Sequence, residues 1–454
     1  MKKTIKQLAT WLKIDEQTHE DVVVTGISID TRTIQAGDLF VPFRGESVNG
    51  HKFVEQAFEK GAAASLWLND EPNPPENLPL IFVDDAEQAL QQMAIAYRSE
   101  HKATFIGITG SNGKTSAKDI VASALAPYFK VQKTIGNFNN QLGLPLTILQ
   151  LDEDTEISVL EMGMSGFGEI ELLARIARPH LAIITNIGEA HMQDLGSRAG
   201  IAQAKYEITQ GLLEEGFLIY DGDEPLLCNL VAEDAYTEAK AFGFNTKHEL
   251  YATHITATEE GSSFTVDGLI QGDFTIPILG KHQVKNTLAA MLICKAMNLT
   301  DEQIRTALAQ IELTNMRMQL VPKGTLLFIN DAYNAAPTSM RAAVDFMQTT
   351  TIRPEKWLVL GDMLELGDDE QAFHENMAKY IDKAAVQYIC LYGTRMKWLY
   401  DKLAATFDAQ HIIYSETDYM PIVEKIQADA SEQSIILLKG SRGMKLETIL
   451  TYLS

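Results

Sequence analysis

The sequence predicts an α/β protein of three domains: a small α+β N-terminal module, a central parallel-sheet domain and a C-terminal Rossmann-like α/β domain. Three observations carry this expectation. Short apolar runs alternate with amphipathic helical stretches from residue 104 and again from residue 326, the pattern of parallel strands buried on both faces. A glycine-rich turn follows the first of those runs. The first 85 residues read differently, as short apolar pieces broken by turn signals. A chain of 454 residues also exceeds one ordinary core, because domains of about 100–200 residues are usual. The expected divisions are 1–85, 86–314 and 315–454.

In order, the first module contains Val22–Val24, Leu39–Phe43 and the helix-like stretch Val54–Phe58, then the proline-rich segment Asn69–Pro75. The central domain supplies the strand candidates Phe105–Ile108, Ile157–Leu160, Leu181–Ile184 and Phe217–Tyr220. The last domain supplies Leu326–Ile329, Trp357–Leu360, Tyr388–Leu391 and Ile435–Leu438. Ligands of such sheets sit beyond the carboxyl ends of the strands. Glu161, Asn186, Asp331, Asp362 and Lys439 all stand at or just past such an end, which makes them the first polar residues to inspect.

Composition narrows the function. A formal net charge of -23 argues against a duplex-binding protein, which needs a clustered excess of Lys and Arg. Small anions remain possible ligands, because backbone N–H groups and a few placed cations hold them locally. The cysteines, Cys228, Cys294 and Cys390, lack metal-ligand or disulfide spacing and read as free thiols. The first residues carry no apolar signal core, and no run approaches the roughly 18 apolar residues that span a bilayer. A cytoplasmic enzyme is expected.

Phe105–Ile108 reads as a strand, Thr109-Gly110-Ser111-Asn112-Gly113-Lys114-Thr115 as a turn, and Ser116–Leu125 as a helix. Strand, glycine turn and helix in that order is the setting of a P-loop. Glycines at 110 and 113 let backbone N–H groups point at phosphate oxygens. Lys114 is placed to neutralise the β- and γ-phosphates, and Thr115 to ligate magnesium. Ile108 stands where the strict spacing asks for glycine, so this is a shortened variant.

This loop resembles that of the Mur ligase and folylpolyglutamate synthetase superfamily, and the likeness runs along essentially the whole chain. The resemblance implies that Thr109, Gly110, Ser111, Asn112, Gly113, Lys114, Thr115 and Ser116 bind ATP. It implies a substrate-side loop at Thr134–Asn140, with Asn137, Asn139 and Asn140 as contacts. Glu161, ending a strand, matches the family's magnesium-ligating glutamate, and His191 in Asn186–His191 matches the second metal segment. Lys205 matches a lysine that family members carry as an N-carbamate, a change from cation to anion that lets the side chain bind metal. Asn286, in the block Gly280–Ala290, matches the adenine-side asparagine, although Gln283 replaces a commoner asparagine. Arg317 matches the arginine that reaches the γ-phosphate.

Asn330–Pro337 most favours the D-alanyl-D-alanine-adding branch of the family, with Asp331 and Asn334 on the nucleotide. Leu360–Gly367 with His374 fits the same branch, and the Asp-Asn-Pro-Arg tetrapeptide of the diaminopimelate-adding branch does not occur. Lys439, Ser441 and Arg442 resemble the C-terminal substrate loop. At the N-terminus Ser28, Asp30, Thr31, Arg32, Arg44, Gly45, Asn49 and His51 resemble the UDP-binding module, with Thr31 in place of the commoner serine.

The resemblance therefore implies an ATP-dependent ligase that joins D-alanyl-D-alanine to UDP-N-acetylmuramoyl-tripeptide through an acyl phosphate, giving the pentapeptide precursor of peptidoglycan. It implies two Mg²⁺ ions, the Lys205 carbamate and a monomer. Lys114, Glu161, His191, Lys205 and Arg317 are the expected catalytic set. Thr115, Glu161, His191 and carbamylated Lys205 are the expected metal ligands. Two other readings stay open. One is another amide ligase of the same superfamily; the other is a P-loop NTPase switch, which hydrolyses nucleotide without an amine acceptor.

Overall fold

The computed structural model describes residues 1–453 apart from 15–18, 46–47, 190–191, 313 and 315. Three parallel or mainly parallel sheets organise the chain, in agreement with the expected fold class. The N-terminal sheet holds Gly26–Ser28, Asp38–Phe40, Ala64–Leu68 and Leu80–Val83, all parallel. A separate short pair, Lys3–Thr4 with Val23–Val24, begins the chain. Its Thr4 caps the helix Ile5–Leu12 through a reciprocal bond with Gln7, which fixes where that helix starts.

Among the described residues the central sheet has nine strands. Thr104–Thr109 lies between Leu181–Ile184 and Ile157–Glu161, with Phe217–Asp221 next beyond Leu181–Ile184. All four anticipated runs are strands here, buried almost throughout, as apolar residues on both faces require. The antiparallel extension Leu250–Thr258, Gly261–Gly268 and Gly272–Ile276 was not anticipated. Its first strand alternates between covered and open positions, a half-buried pattern shorter in apolar signal than the parallel strands.

The last sheet orders Gln319–Lys323, Leu326–Asn330, Ser434–Lys439, Glu355–Gly361, Tyr388–Tyr392 and Ile412–Ser415; only its first strand is antiparallel. All four anticipated C-terminal runs are strands in it. Trp357 is fully buried and stacks on Tyr388 with ring centroids 3.9 Å apart.

The helix Ala86–Glu100 joins the first two units. Asp85 caps it, and its buried face, Leu90, Met93 and Tyr97, shares one apolar core with Leu8 on one side and with Phe105 and Leu144 on the other. Leu279, at the end of the central unit, packs into the core of the six-stranded sheet. These shared cores hold the carboxyl ends of two sheets against a common space.

Candidate active site

Thr109, Glu161, Ile184 and Asp221 end adjacent parallel strands, and a cleft of about 490 Å³ opens beyond them. Lys114, Glu161 and Asn286 line one wall; Arg317, Asp331 and Lys439 line the other. The site thus draws charge from two sheets.

The turn between strand and helix is held by its own glycines. Gly110 has φ +148°, and a Cβ there would overlap the Thr185 hydroxyl. Gly113, at φ +79°, caps the helix Lys114–Leu125 with no side chain, leaving the first N–H groups free of a side-chain acceptor. The loop is tied down from the neighbouring strand end. The Asn112 carbonyl accepts from Thr185 Oγ1 at 2.6 Å and Asn186 Nδ2 at 2.8 Å, while Asn112 N donates to Asn186 Oδ1 at 3.0 Å. Thr185 and Asn186 are therefore the cradle of the loop. In the sequence Asn186 stands out as a strand-end polar residue and as the start of the segment Asn186–His191, but its pairing with Asn112 has no local signature.

Lys114 folds back to donate to the Gly110 carbonyl at 2.8 Å. Burial pushes its pKa down; Glu161 opposes the shift and Arg317 adds to it. Thr109 serves the loop's footing, since its hydroxyl donates to Met162 O at 2.9 Å. Ser111, Asn112, Thr115 and Ser116 line the cleft, and the Ser111 hydroxyl is buried without a hydrogen-bond partner. Asn286 is buried behind Gly113 and donates to Gln283 at 3.1 Å.

Glu161 accepts from Asn139 Nδ2 at 3.0 Å through Oε1, while its Oε2 is buried with no hydrogen bond. Arg317 lies over the Tyr333 ring at 4.1 Å, and its Nε is likewise buried and unpaired. Asp331 is committed: Lys439 Nζ reaches one oxygen at 2.6 Å and Met318 N the other at 3.1 Å. Asn334 and Asn137 line this cleft and a second one of about 350 Å³, which also reaches Ser441 and Arg442. Arg442 is ion-paired with Glu447. His282 faces the Asp331–Lys439 pair; burial lowers its pKa, Asp331 opposes and Lys439 assists.

Other expected residues lie elsewhere. Asn140 Oδ1 accepts from Gly143 N at 2.9 Å, just before the helix Gly143–Leu149, and lines neither cleft. Lys205 is buried on the helix Arg198–Tyr206, also outside the cleft lining, and has no hydrogen-bond or ion-pair partner among the described residues. Burial, aided by Lys114, pushes its pKa well down. His191 lies outside the described residues.

The N-terminal set forms its own cluster away from both clefts. Arg32 pairs with Asp30 at 2.6 Å, while Arg44 pairs with Asp70 at 2.8 Å and Glu71 at 2.7 Å. Asn49 donates to Glu71 and accepts from His51 N; His51 is buried, and its Nε2 accepts from Leu68 N. Ser28 bonds the Asp30 carbonyl, Thr31 reaches Gln56, and Gly45 N meets the Val48 carbonyl.

Comparison with known proteins adds to this geometry. Residues 23–98 match the Mur ligase family catalytic domain, 108–294 the Mur ligase middle domain, and 316–442 the Mur ligase glutamate ligase domain. The chain is 46% identical to the UDP-N-acetylmuramoyl-tripeptide–D-alanyl-D-alanine ligase of Bacillus subtilis, over 99% of this chain and 98% of that protein. A crystal structure of MurF from Acinetobacter baumannii superposes with a TM-score of 0.87 at 28% identity, covering 99% of this chain and 98% of that one. MurF ligase from Thermotoga maritima in complex with ADP gives 0.82 at 26% identity, covering 94% and 97%.

Proposed function

Because this chain belongs to the Mur ligase family, we propose that it joins D-alanyl-D-alanine to UDP-N-acetylmuramoyl-tripeptide at the expense of ATP, forming a carbon–nitrogen bond. The γ-phosphoryl group passes to the terminal carboxylate of the tripeptide and ADP departs. The dipeptide amine then attacks the acyl phosphate carbon, loses a proton and expels phosphate. The observation that carries the reading is the meeting of the Gly110–Thr115 loop with Arg317 and Lys439 in one cleft, in a chain similar to this ligase from end to end. Phosphoryl transfer needs positioning and charge neutralisation more than a side-chain nucleophile.

In this reading Lys114 leaves the Gly110 carbonyl to meet the phosphates, and Arg317, its guanidinium over the Tyr333 ring, meets the transferred group. Asn286 serves the adenine side; Asp331 and Asn334 serve the nucleotide from the facing sheet. Asn137, Asn139, Ser441 and Arg442 bound the substrate side. Arg32, Arg44 and His51 of the N-terminal module, with Ser28, Asp30, Thr31, Gly45 and Asn49, take the UDP end. The three units divide near residues 85 and 314.

Thr115, Glu161, His191 and Lys205 are the proposed magnesium ligands, two ions being the expected number. The fit is supported by Glu161 Oε2, a buried acceptor with no hydrogen bond, because a phosphate-bound Mg²⁺ takes only one or two carboxylates. When bound, the metal neutralises charge on the phosphates. The depressed pKa of Lys205 suits carbamylation, since only the neutral amine attacks CO₂, releasing a proton as the carbamate forms. No described helix is long and apolar enough to cross a membrane; the cytoplasmic location proposed rests on the likeness to the Bacillus subtilis ligase.

The test is phosphate release coupled to amide formation. Wild-type protein is expected to turn over ATP only when both the UDP-tripeptide and D-alanyl-D-alanine are present, and Lys114→Ala to lose about 10³ in kcat/KM. Equal ATP hydrolysis without the dipeptide would instead identify a nucleotide switch.

A further inference from the structure

Lys118 has no place in the chemistry above, yet it is one of the most buried lysines in the molecule. It lies one turn beyond Lys114 on the phosphate-loop helix, with its side chain 3% exposed. Its Nζ stands 3.5 Å from Glu161 Oε2 and 3.9 Å from Asp119 Oδ1, and it makes no hydrogen bond among the described residues. Asp119 is already served. Lys133 reaches its Oδ1 at 2.7 Å, and Thr314 donates to its Oδ2 through N at 2.9 Å and Oγ1 at 2.6 Å. With two buried carboxylates and two ammonium groups, Lys133 falls to Asp119 and Lys118 to Glu161.

The distance matters. At 3.5 Å the ammonium balances the carboxylate's charge but donates no good hydrogen bond. Glu161 Oε2 therefore keeps its lone pairs uncommitted while its charge is compensated, and Asn139 holds the other oxygen. A direct bond to Oε2 would have to be broken before a cation could bind there; a counter-ion held back from contact leaves that oxygen open.

We propose that Lys118 is a positioning residue, the held-back counter-ion of Glu161, which discourages free Mg²⁺ and makes metal binding depend on the nucleotide. The inference rests on Glu161 being a magnesium ligand. A lone divalent ion approaching Glu161 meets repulsion from Lys118 and from Lys114, which also faces the cleft. An ion arriving with ATP brings phosphate charge that cancels this repulsion. Lys118 thereby couples the two ligands without touching either.

Lys118→Met keeps the stem's bulk and removes the charge. Melting temperature and calorimetry on the full chain, with MgCl₂ alone, ADP alone and both, read the coupling apart from activity. Wild-type protein is expected to respond weakly to MgCl₂ alone and strongly to the pair. Lys118→Met is expected to melt lower without metal, to recover with MgCl₂ alone, and to bind free Mg²⁺ about tenfold more tightly. Lys118→Arg, which keeps the charge, is expected to follow wild type in its metal response.

Should Lys118→Met fail to fold, the Glu161→Gln, Lys118→Met double variant removes both charges. It is expected to fold and to show no response to MgCl₂ alone. A Lys118→Met protein that loses the same stability with and without Mg²⁺, at unchanged Mg²⁺ affinity, overturns the proposal and leaves a packing role. A double variant that fails to fold, or keeps a response to MgCl₂ alone, overturns it too. Wild-type protein that gains nothing from Mg²⁺ together with ADP removes the metal reading of Glu161 itself, a different and recognisable failure.

Discussion

The cleft and the N-terminal cluster hold comparable polar residues in opposite states. In the cleft, Ser111 Oγ, Glu161 Oε2 and Arg317 Nε are buried without hydrogen bonds. In the N-terminal cluster Arg32 and Arg44 are already matched by Asp30, Asp70 and Glu71, and His51 by Asn49 and the Leu68 amide. Leaving buried polar groups unpaired costs free energy that folding must offset elsewhere, so such groups gather where a ligand will satisfy them. On the proposed reading these three cleft groups are left open for the ligand, although Lys114 must first leave the Gly110 carbonyl, whereas the N-terminal cluster neutralises itself and would have to exchange partners to take an anion.

The comparison can be broken most forcefully at Gly110. Gly110→Ala places a methyl group against the Thr185 hydroxyl at a φ that side chains avoid. The loop must shift, and ATP-dependent turnover is expected to fall by about 100-fold or more while far-UV circular dichroism stays native. An alanine variant with normal ATP affinity would show that the loop is not set in advance.

A smaller effect is expected at Asp70. Asp70→Asn weakens the exposed pair that occupies Arg44, and the KM for the UDP-linked substrate is expected to fall about threefold with an unchanged melting temperature. A rise in KM would mean that Asp70 aims Arg44 and that the pairing assists binding.

The smallest effect belongs to His51. Burial lowers its pKa below 6.5, with Glu71 opposing and Arg44 assisting. The unfolded chain therefore takes up this proton more readily than the folded one. Its contribution to stability is complete above pH 6.5 and is lost as the pH falls below that value. His51→Gln is expected to flatten part of the decline in melting temperature on that acid side. An unaltered pH profile would indicate that His51 binds its proton equally well in the folded and unfolded states.

The parallel strands and the phosphate turn were legible because their signals are local. An apolar run such as Leu181–Ile184 announces burial on both faces, and glycines at 110 and 113 announce a backbone that only glycine follows easily. The antiparallel strands Gly261–Gly268 and Gly272–Ile276 were not legible, since pairing partners, rather than apolar content, define them. The N-terminal arginines carry the expectation of anion binding, but nothing in the sequence shows that Arg44 is held by acids distant along the chain, Asp70 and Glu71.

Lys118 shows the dividing line. By itself the sequence determined that residues 116–125 form a helix after a phosphate turn, which the structure extends back to Lys114, because spacing and glycine conformation act within a few residues. A Lys-Asp pair on that helix looks like a solvated face. Only tertiary structure decided otherwise, by setting the helix between the central sheet and the helix Lys281–Ala296, so that both charges are buried and Lys118 meets Glu161 from another strand. Burial and electrostatic pairing depend on which distant surfaces meet, and no periodicity along the chain encodes that.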